Sequence, residues 1–206
     1  MIRFNGWFWP ASLLLLFLLL TFAVAIGATQ NFDDVALAAL DPARIEWILT
    51  AAIAISVFGY LPANAILVAV AAVGLYAYGR IRAAGYLLLA SLIAPFGLLI
   101  KNLIARQRPV DLVAGNLRLA DGYSYPSGHV VFYTAVFGFL FVLAGTEIRS
   151  EVLSKGARIV LLALIVAVGL DRLLESEHWP TDVIGGYLLA LACLSLVTNR
   201  YLSQRR

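Results

Sequence analysis

Charge is scarce in this chain. Of its 206 residues, 13 % are Asp, Glu, Lys or Arg, where a soluble domain carries roughly 25 %. There is one cysteine, Cys193, and there are two histidines. A single cysteine closes no intramolecular disulfide, and two histidines with it write no Cys/His metal framework. No repeat period, low-complexity segment or soluble domain is visible. What is abundant is apolar: 62 % of the residues, with a mean hydropathy of +0.91. A globular core of this size cannot hide so much apolar surface, which excludes disorder and a soluble cytosolic enzyme. A net charge of +3 and a pI near 9.2 would suggest nucleic acid only if the basic residues clustered. The 15 Lys and Arg instead sit between apolar runs, so no nucleic-acid partner is expected and the charge reads as membrane topology.

The fold class that follows is all-α, a polytopic membrane helical bundle of six transmembrane helices plus a short interfacial helix, forming one domain over residues 1–206. A span needs about 20 apolar residues at about 1.5 Å each. No charge lies between Phe4 and Phe32, so the first span is expected at residues 6–28, with Trp7 and Trp9 as its aromatic belt. Arg3, the Leu-rich stretch and Ala23-Val24-Ala25 also resemble a cleaved signal peptide, but the apolar run is longer than a signal core. Trp47 to Gly79 is uncharged too. As one helix it would measure about 50 Å against a hydrocarbon core of about 30 Å, so it must break. Gly59-Tyr60-Leu61-Pro62 is the breaker. That gives an interfacial or re-entrant helix over 42–58, or a seventh span, and a second span at 62–79. The third is expected at 83–104, bent near Ser91, Pro95 and Gly97, the fourth at 130–145, the fifth at 156–174 and the sixth at 183–201.

Basic residues orient the bundle. With the N-terminus inside, the inner segments hold Arg3, Arg80, Arg82, Arg149, Lys155, Arg158, Arg200, Arg205 and Arg206. The outer segments hold Arg44, Lys101, Arg106, Arg108, Arg118 and Arg172. Nine against six favours this direction. Lys101, Arg108 and Arg172 belong to the motifs below, which leaves Arg44, Arg106 and Arg118 as ordinary outer cations.

Three polar clusters fall at span ends on the outer side. Lys101 and Arg108 are seven residues apart and share a face if the helix runs on past the third span. Pro109 biases Arg108 to an extended backbone, so that helix should stop nearby. Two snorkelling cations would look the same. Tyr125-Pro126-Ser127-Gly128-His129 precedes the fourth span, with Pro126 suited to a first helical position. The next N–H groups then face outward at the positive end of the dipole and form an anion site, with Gly128 admitting an oxyanion and the Ser127 hydroxyl adding a donor. Arg172 is followed by His178-Trp179-Pro180-Thr181-Asp182, where Pro180 again begins a helix. Asp182 can reach back towards His178 and fix its tautomer. Each cluster alone could be an ordinary helix cap or junction. Together they place both histidines beside helix-starting prolines on one face, among three cations. That set suits phosphoryl transfer: cations and N–H groups neutralise the equatorial oxygens, one imidazole attacks phosphorus, and the other protonates the leaving oxygen.

Lys101-x6-Arg108-Pro109, Pro126-Ser127-Gly128-His129 and Arg172-x5-His178-x3-Asp182 resemble, in order and spacing, the three signature motifs of the phosphatidic-acid phosphatase type 2 superfamily. The resemblance runs from the second span to the sixth. It implies an all-helical membrane enzyme that hydrolyses lipid phosphates without a metal or other cofactor. His178 would be the nucleophile that becomes phosphohistidine, Asp182 its orienting group, and His129 the acid that protonates the leaving group and then activates water. Lys101, Arg108, Arg172, Ser127 and Gly128 would hold the phosphate. One departure is visible: the family usually has Ser before the third-motif Arg, where this chain has Asp171. Its charge either weakens phosphate affinity or points away.

The resemblance leads to an integral-membrane lipid phosphatase whose partners are the bilayer and a lipid phosphate. Undecaprenyl diphosphate is the first substrate expectation, with phosphatidylglycerol phosphate, phosphatidate and lipid A phosphates as alternatives. A vanadate-dependent haloperoxidase shares the oxyanion pocket, but those proteins are soluble and larger. A non-enzymatic lipid-binding channel or flippase is the alternative of another class, and it has no need for a histidine held by a carboxylate. The expected location is a bacterial plasma membrane with the site on the extracytoplasmic side. The parity of spans places all three motifs on one side whatever the N-terminal half does. A cysteine at Gly115, in a Cys193→Ser background, should therefore react with an impermeant maleimide in intact cells, and one at Ser154 only after lysis. The reverse pattern would put the motifs in the cytoplasm.

Overall fold

The computed structural model describes residues 7–40, 50, 54–109 and 122–204. Among them every regular element is helical: α1 (Phe8–Ala25), α2 (Gln30–Ala38), a 3-10 turn (Val57–Gly59), α3 (Ala63–Ala77), α4 (Ile81–Ser91), α5 (Ile93–Ile104), α6 (Gly128–Glu147), α7 (Glu151–Leu174) and α8 (Pro180–Ser203). Most of the interfacial helix expected over 42–58 lies outside the described residues, as does most of the loop from 105 to 125.

Among the described residues four stretches are long and apolar enough to cross a membrane: α1, α4 with α5 (Ile81–Ile104), α6 and α8. α3 has 15 residues, about 22 Å of rise. α7 has 24 residues but carries Glu151, Lys155 and Arg158 near its start and Asp171 and Arg172 near its end. A count of six spans requires those two helices to cross as well. The outer faces are apolar: Leu15, Leu19 and Phe22 on α1, Ile66 and Val70 on α3, and Leu99 and Leu103 on α5 are all exposed. In water such a surface would drive aggregation, whereas in lipid it is the solvated state.

α6 is the central helix. Val130, Val131, Tyr133, Ala135, Val136 and Phe139 are fully buried around its circumference, as expected of a helix apolar on all sides. It packs against α7 and α8, and α1 lies along α8. Gly185 and Gly186 let the start of α8 meet the start of α6. A Cβ at Gly185 would collide with the Tyr125 ring, and one at Gly186 would stand 3.1 Å from the Ser127 carbonyl. The Ser127 N–H in turn donates to the Asp182 carbonyl at 3.1 Å, so the second and third motifs are joined through backbone. α1 braces the same corner, with Phe17 stacked on Tyr125 and the Thr21 hydroxyl 2.8 Å from the Tyr125 hydroxyl.

The far end of α6 is about 30 Å away. There Arg80 pairs with Glu147 at 3.0 Å, Tyr201 donates to Glu147 at 3.0 Å and Arg82 donates to the Gln204 carbonyl at 2.7 Å. The motif residues and Arg80, Arg82 and Arg200 thus occupy opposite ends of the bundle.

The bend expected near Ser91, Pro95 and Gly97 falls at Leu92, where two helices meet within the one stretch Ile81–Ile104, because Pro95 lacks an N–H and its ring opposes the Ser91 carbonyl four residues earlier. Two local expectations change. α5 ends at Ile104 with Ala105 left-handed (φ 51). Lys101 and Arg108 therefore do not share a helical face; the non-helical run from Ala105 to Arg108 carries the guanidinium back to the site. Likewise α6 starts at Gly128 with Ser127 as its N-cap, which leaves Pro126 just outside the helix.

Candidate active site

The third motif is built by a tight turn. After α7 the chain passes through Ser176 in the left-handed region (φ 55), and the Arg172 carbonyl accepts the N–H groups of Glu177 and His178, both at 3.2 Å. That closure explains the spacing from Arg172 to His178. Pro180 then opens α8, where its missing N–H costs no helix bond. Asp182, at the third position, accepts the Trp179 N–H on Oδ2 at 2.8 Å.

His178 is buried between two unlike partners. Its Nδ1 lies 3.5 Å from Asp182 Oδ2 and 3.4 Å from Ser124 Oγ. Its Nε2 lies 3.5 Å from Arg108 Nη1. A carboxylate on one side and a guanidinium donor on the other assign the proton to Nδ1 and leave the Nε2 lone pair facing the cations. The Ser124 hydroxyl also donates to Asp182 Oδ2, so it is wedged between carboxylate and imidazole.

The charges of Lys101, Arg108 and Arg172 all act on that ring. Arg108 reaches His178 directly and is held by the carbonyls of Gly122 (3.0 Å) and Glu177 (3.2 Å). Lys101, buried at the end of α5, brings its ammonium to 4.0 Å from the position a Cβ on Gly128 would take. Arg172 is fully buried and paired with three carboxylates: Asp171 at 2.6 Å, Glu175 at 2.6 Å and Glu177 at 2.5 Å. Asp171 thus points at Arg172 rather than away. Glu177 also approaches Arg108 Nη1 at 3.5 Å, so one carboxylate lies across two of the cations.

At the start of α6, Ser127 Oγ and His129 Nε2 are buried, and neither has a hydrogen-bond partner among the described residues. Buried polar atoms in native proteins are nearly always paired, and these two belong to the cluster that the sequence marks for an oxyanion and a proton donor. The His129 ring stands edge-on to Tyr60 at 4.3 Å, and the Tyr60 hydroxyl accepts from Arg172 Nη1 at 3.0 Å. Gly59 makes room for that ring, since a Cβ there would collide with it.

All eight residues singled out from sequence therefore gather at one end of the bundle: Lys101, Arg108, Ser127, Gly128, His129, Arg172, His178 and Asp182. Sequence reasoning missed Ser124, Glu177, Gly59, Tyr60 and Arg106. Arg106 is no ordinary outer cation: it contacts Asp182 Oδ1 at 2.8 Å. Its position two residues before Arg108 on a non-helical run was a usable signal. Gly59 and Tyr60 read only as a helix breaker, and nothing in the sequence distinguishes Ser124 from a loop serine.

Fixed cations, an imidazole nitrogen facing them, a second imidazole and the start of a helix form, at one end of the bundle, an arrangement suited to holding an oxyanion for phosphoryl transfer. A family model described as the PAP2 superfamily matches residues 81–206, and the chain belongs to that superfamily. It is 27 % identical over 197 residues to phosphatidylglycerophosphatase B of Bacillus subtilis (strain 168), covering 91 % of this chain and 92 % of the relative. It also superposes with a TM-score of 0.82 and 26 % identity on the crystal structure titled the first transmembrane PAP2 type phosphatidylglycerolphosphate phosphatase from Bacillus subtilis. That match covers 94 % of this chain and 96 % of the other.

Burial, then the charges of Lys101, Arg108 and Arg172, hold the His178 pKa well below the usual 6.5. A base with a lowered pKa takes up its proton only as the pH falls to that lower value, so the ring is expected to stay neutral at a pH where an ordinary imidazole is already largely protonated. In a tag-free His129→Gln protein, whose one histidine is His178, 15N shifts at pH 6 should be those of a neutral ring protonated at Nδ1. An imidazolium pattern at that pH would contradict the assignment.

Proposed function

We propose that this PAP2-type membrane lipid phosphatase hydrolyses the phosphate monoester of phosphatidylglycerophosphate through a phosphohistidine at His178. The single observation that carries the mechanism is the unlike pair of contacts on His178, with Asp182 and Ser124 at Nδ1 and Arg108 at Nε2. The substrate choice draws on the names of the two relatives, each matched over nearly its whole length. Undecaprenyl diphosphate, the expectation from sequence, is the competing substrate.

In the first half-reaction, Nε2 of His178 attacks phosphorus and forms a P–N bond. The bond to the lipid oxygen breaks, its electron pair stays on that oxygen, and His129 supplies the proton. Lys101, Arg108 and Arg172 balance the charge on the equatorial oxygens, helped by the Ser127 hydroxyl and the N–H groups at the start of α6. In the second half-reaction His129 takes a proton from water, the water oxygen attacks phosphorus, and the P–N bond breaks to release phosphate and regenerate His178. Asp182 stabilises the imidazolium that forms during the transfer. The three cations supply the positive charge that a metal would otherwise bring, so turnover is expected without one. The proposal sets the site on the extracytoplasmic side of a bacterial plasma membrane, and the basic residues at the opposite end support that side.

The deciding experiment is phosphate release by purified protein in detergent with EDTA throughout, across phosphatidylglycerophosphate, phosphatidate, lipid A phosphates and undecaprenyl diphosphate. Phosphatidylglycerophosphate should give the highest kcat/KM, and His178→Ala should lose at least about 10³-fold. A His178→Ala protein retaining more than a few per cent of activity would remove the nucleophile assignment. A higher kcat/KM on undecaprenyl diphosphate would overturn the substrate choice.

Glu177 gives a separate prediction. An incoming oxyanion must compete with the carboxylate that already bridges Arg172 and Arg108. Glu177→Gln should therefore bind orthovanadate about three- to tenfold more tightly by calorimetric titration, roughly 0.7–1.4 kcal/mol. Unchanged or weaker binding would mean that the carboxylate does not occupy the oxyanion position.

A further inference from the structure

The Asp182 carboxylate is held from the side away from His178 by a network that reaches outside the family-matched segment. Arg106 Nη1 donates to Asp182 Oδ1 at 2.8 Å and to Thr181 Oγ1 at 2.8 Å. Its Nη2 donates to Asp33 Oδ2 at 2.6 Å and to Gln30 Oε1 at 3.4 Å. Asp33, on α2, is fully buried. Its Oδ1 accepts the Thr181 N–H at 2.9 Å and its Oδ2 the Thr181 hydroxyl at 2.7 Å. The guanidinium also lies 5.3 Å over the Trp179 ring, whose Nε1 is tied to the Gln107 carbonyl at 2.9 Å.

Each contact has a consequence for Asp182. A buried carboxylate with two free oxygens can rotate about its Cβ–Cγ bond and present either to its neighbour. Here Oδ1 is taken by Arg106, so Oδ2 is the oxygen turned to His178. The Arg106 backbone acts on the other side: its carbonyl accepts the Ser124 N–H at 2.7 Å, and Ser124 is the residue wedged between Oδ2 and His178 Nδ1. Arg106 by itself could pivot on its long side chain. Asp33 prevents that, because it grips the second guanidinium nitrogen and, through Thr181, the first turn of α8. The network holds two carboxylates and one guanidinium with every oxygen partnered, the condition under which buried charges rigidify a site.

We propose that Asp33 and Arg106 are positioning residues for the Asp182–His178 pair: Asp33 fixes the Arg106 guanidinium, and Arg106 fixes which oxygen of Asp182 faces the imidazole. Neither touches the reacting atoms. Asp33 lies outside residues 81–206, so α2 is part of the site although it carries none of its motifs. The inference deepens the phosphatase reading given above and rests on it for its kinetic arm alone.

The test compares Asp33→Asn and Arg106→Lys with wild type. Asp33→Asn keeps the shape but removes the charge and leaves one acceptor oxygen for two positions, those taken by Arg106 and by the Thr181 N–H, while Arg106→Lys keeps the buried positive charge and loses the fork. Orienting partners of this kind typically cost 10- to 100-fold. The expected result is a fall in kcat of about that size with KM within about threefold, and a His178 ring that shifts from the Nδ1–H tautomer to a mixture in 15N spectra. The double variant should be no worse than about threefold below the poorer single, because both act through one carboxylate. A lower melting temperature with unchanged kcat and an unchanged tautomer would reduce the network to a structural brace and overturn the proposal. So would a wild-type kcat in both variants. If the wild-type protein releases no phosphate from any lipid, the phosphatase reading fails, and the tautomer comparison decides this proposal by itself. If Asp33→Asn does not fold, Arg106→Lys carries the same two readouts.

Discussion

A carboxylate cannot be buried at the end of a membrane helix without partners for both of its oxygens, and Asp182 at the start of α8 is the point from which the site is assembled. Meeting that requirement draws in Arg106 from the end of α5, Ser124 from the segment before α6, the Trp179 N–H and the imidazole of His178. Arg106 carries a charge of its own that must be matched, which recruits Asp33 from α2. Four separate stretches of chain are thereby fixed relative to one another. The chemistry of the pocket and its rigidity come from the same contacts.

Helix termini make this possible. The starts of α6 and α8 lie side by side because Gly185 and Gly186 remove the side chains that would hold them apart. Ser127 stands at the cap position of α6 but spends its hydroxyl on no backbone N–H. Among the described residues its buried Oγ has no partner, nor does Nε2 of His129, which leaves the donors of that terminus to an anion. Beyond this corner the bundle is ordinary: an apolar central helix, apolar outer faces, and a cluster of Arg80, Glu147, Tyr201 and Gln204 that closes the opposite end.

The positive charge of the pocket is strongly moderated. Arg172 alone is shared by Asp171, Glu175 and Glu177, and Glu177 extends to Arg108. Such a site holds its cations in place before any ligand arrives, at the expense of some affinity for the ligand. Asp171, the one departure from the motif pattern, belongs to this arrangement, which answers where its added charge goes.

The amino-acid sequence by itself determined the membrane class and the helical architecture, and it singled out the eight residues that the fold gathers at one end of the bundle. These were legible because they depend on local physics: uncharged runs as long as a bilayer, prolines that begin or break helices, and short spacings that helix geometry converts into proximity. It misjudged Pro126, which stands outside α6, and the shared helical face of Lys101 and Arg108, which the end of α5 at Ile104 removes. Only the tertiary structure selected Asp33 over its neighbour Asp34. Both follow the same uncharged run, yet one is fully buried against Arg106 while the other meets Gln30 in an exposed pair. The same holds for Gly59, whose role is the space it leaves for His129, and for Ser124, Tyr60 and Glu177. Partners such as Asp33 and Arg106, 73 residues apart, are chosen by the way helices pack and by the need to pair buried charge, and neither is written in the local pattern of the chain.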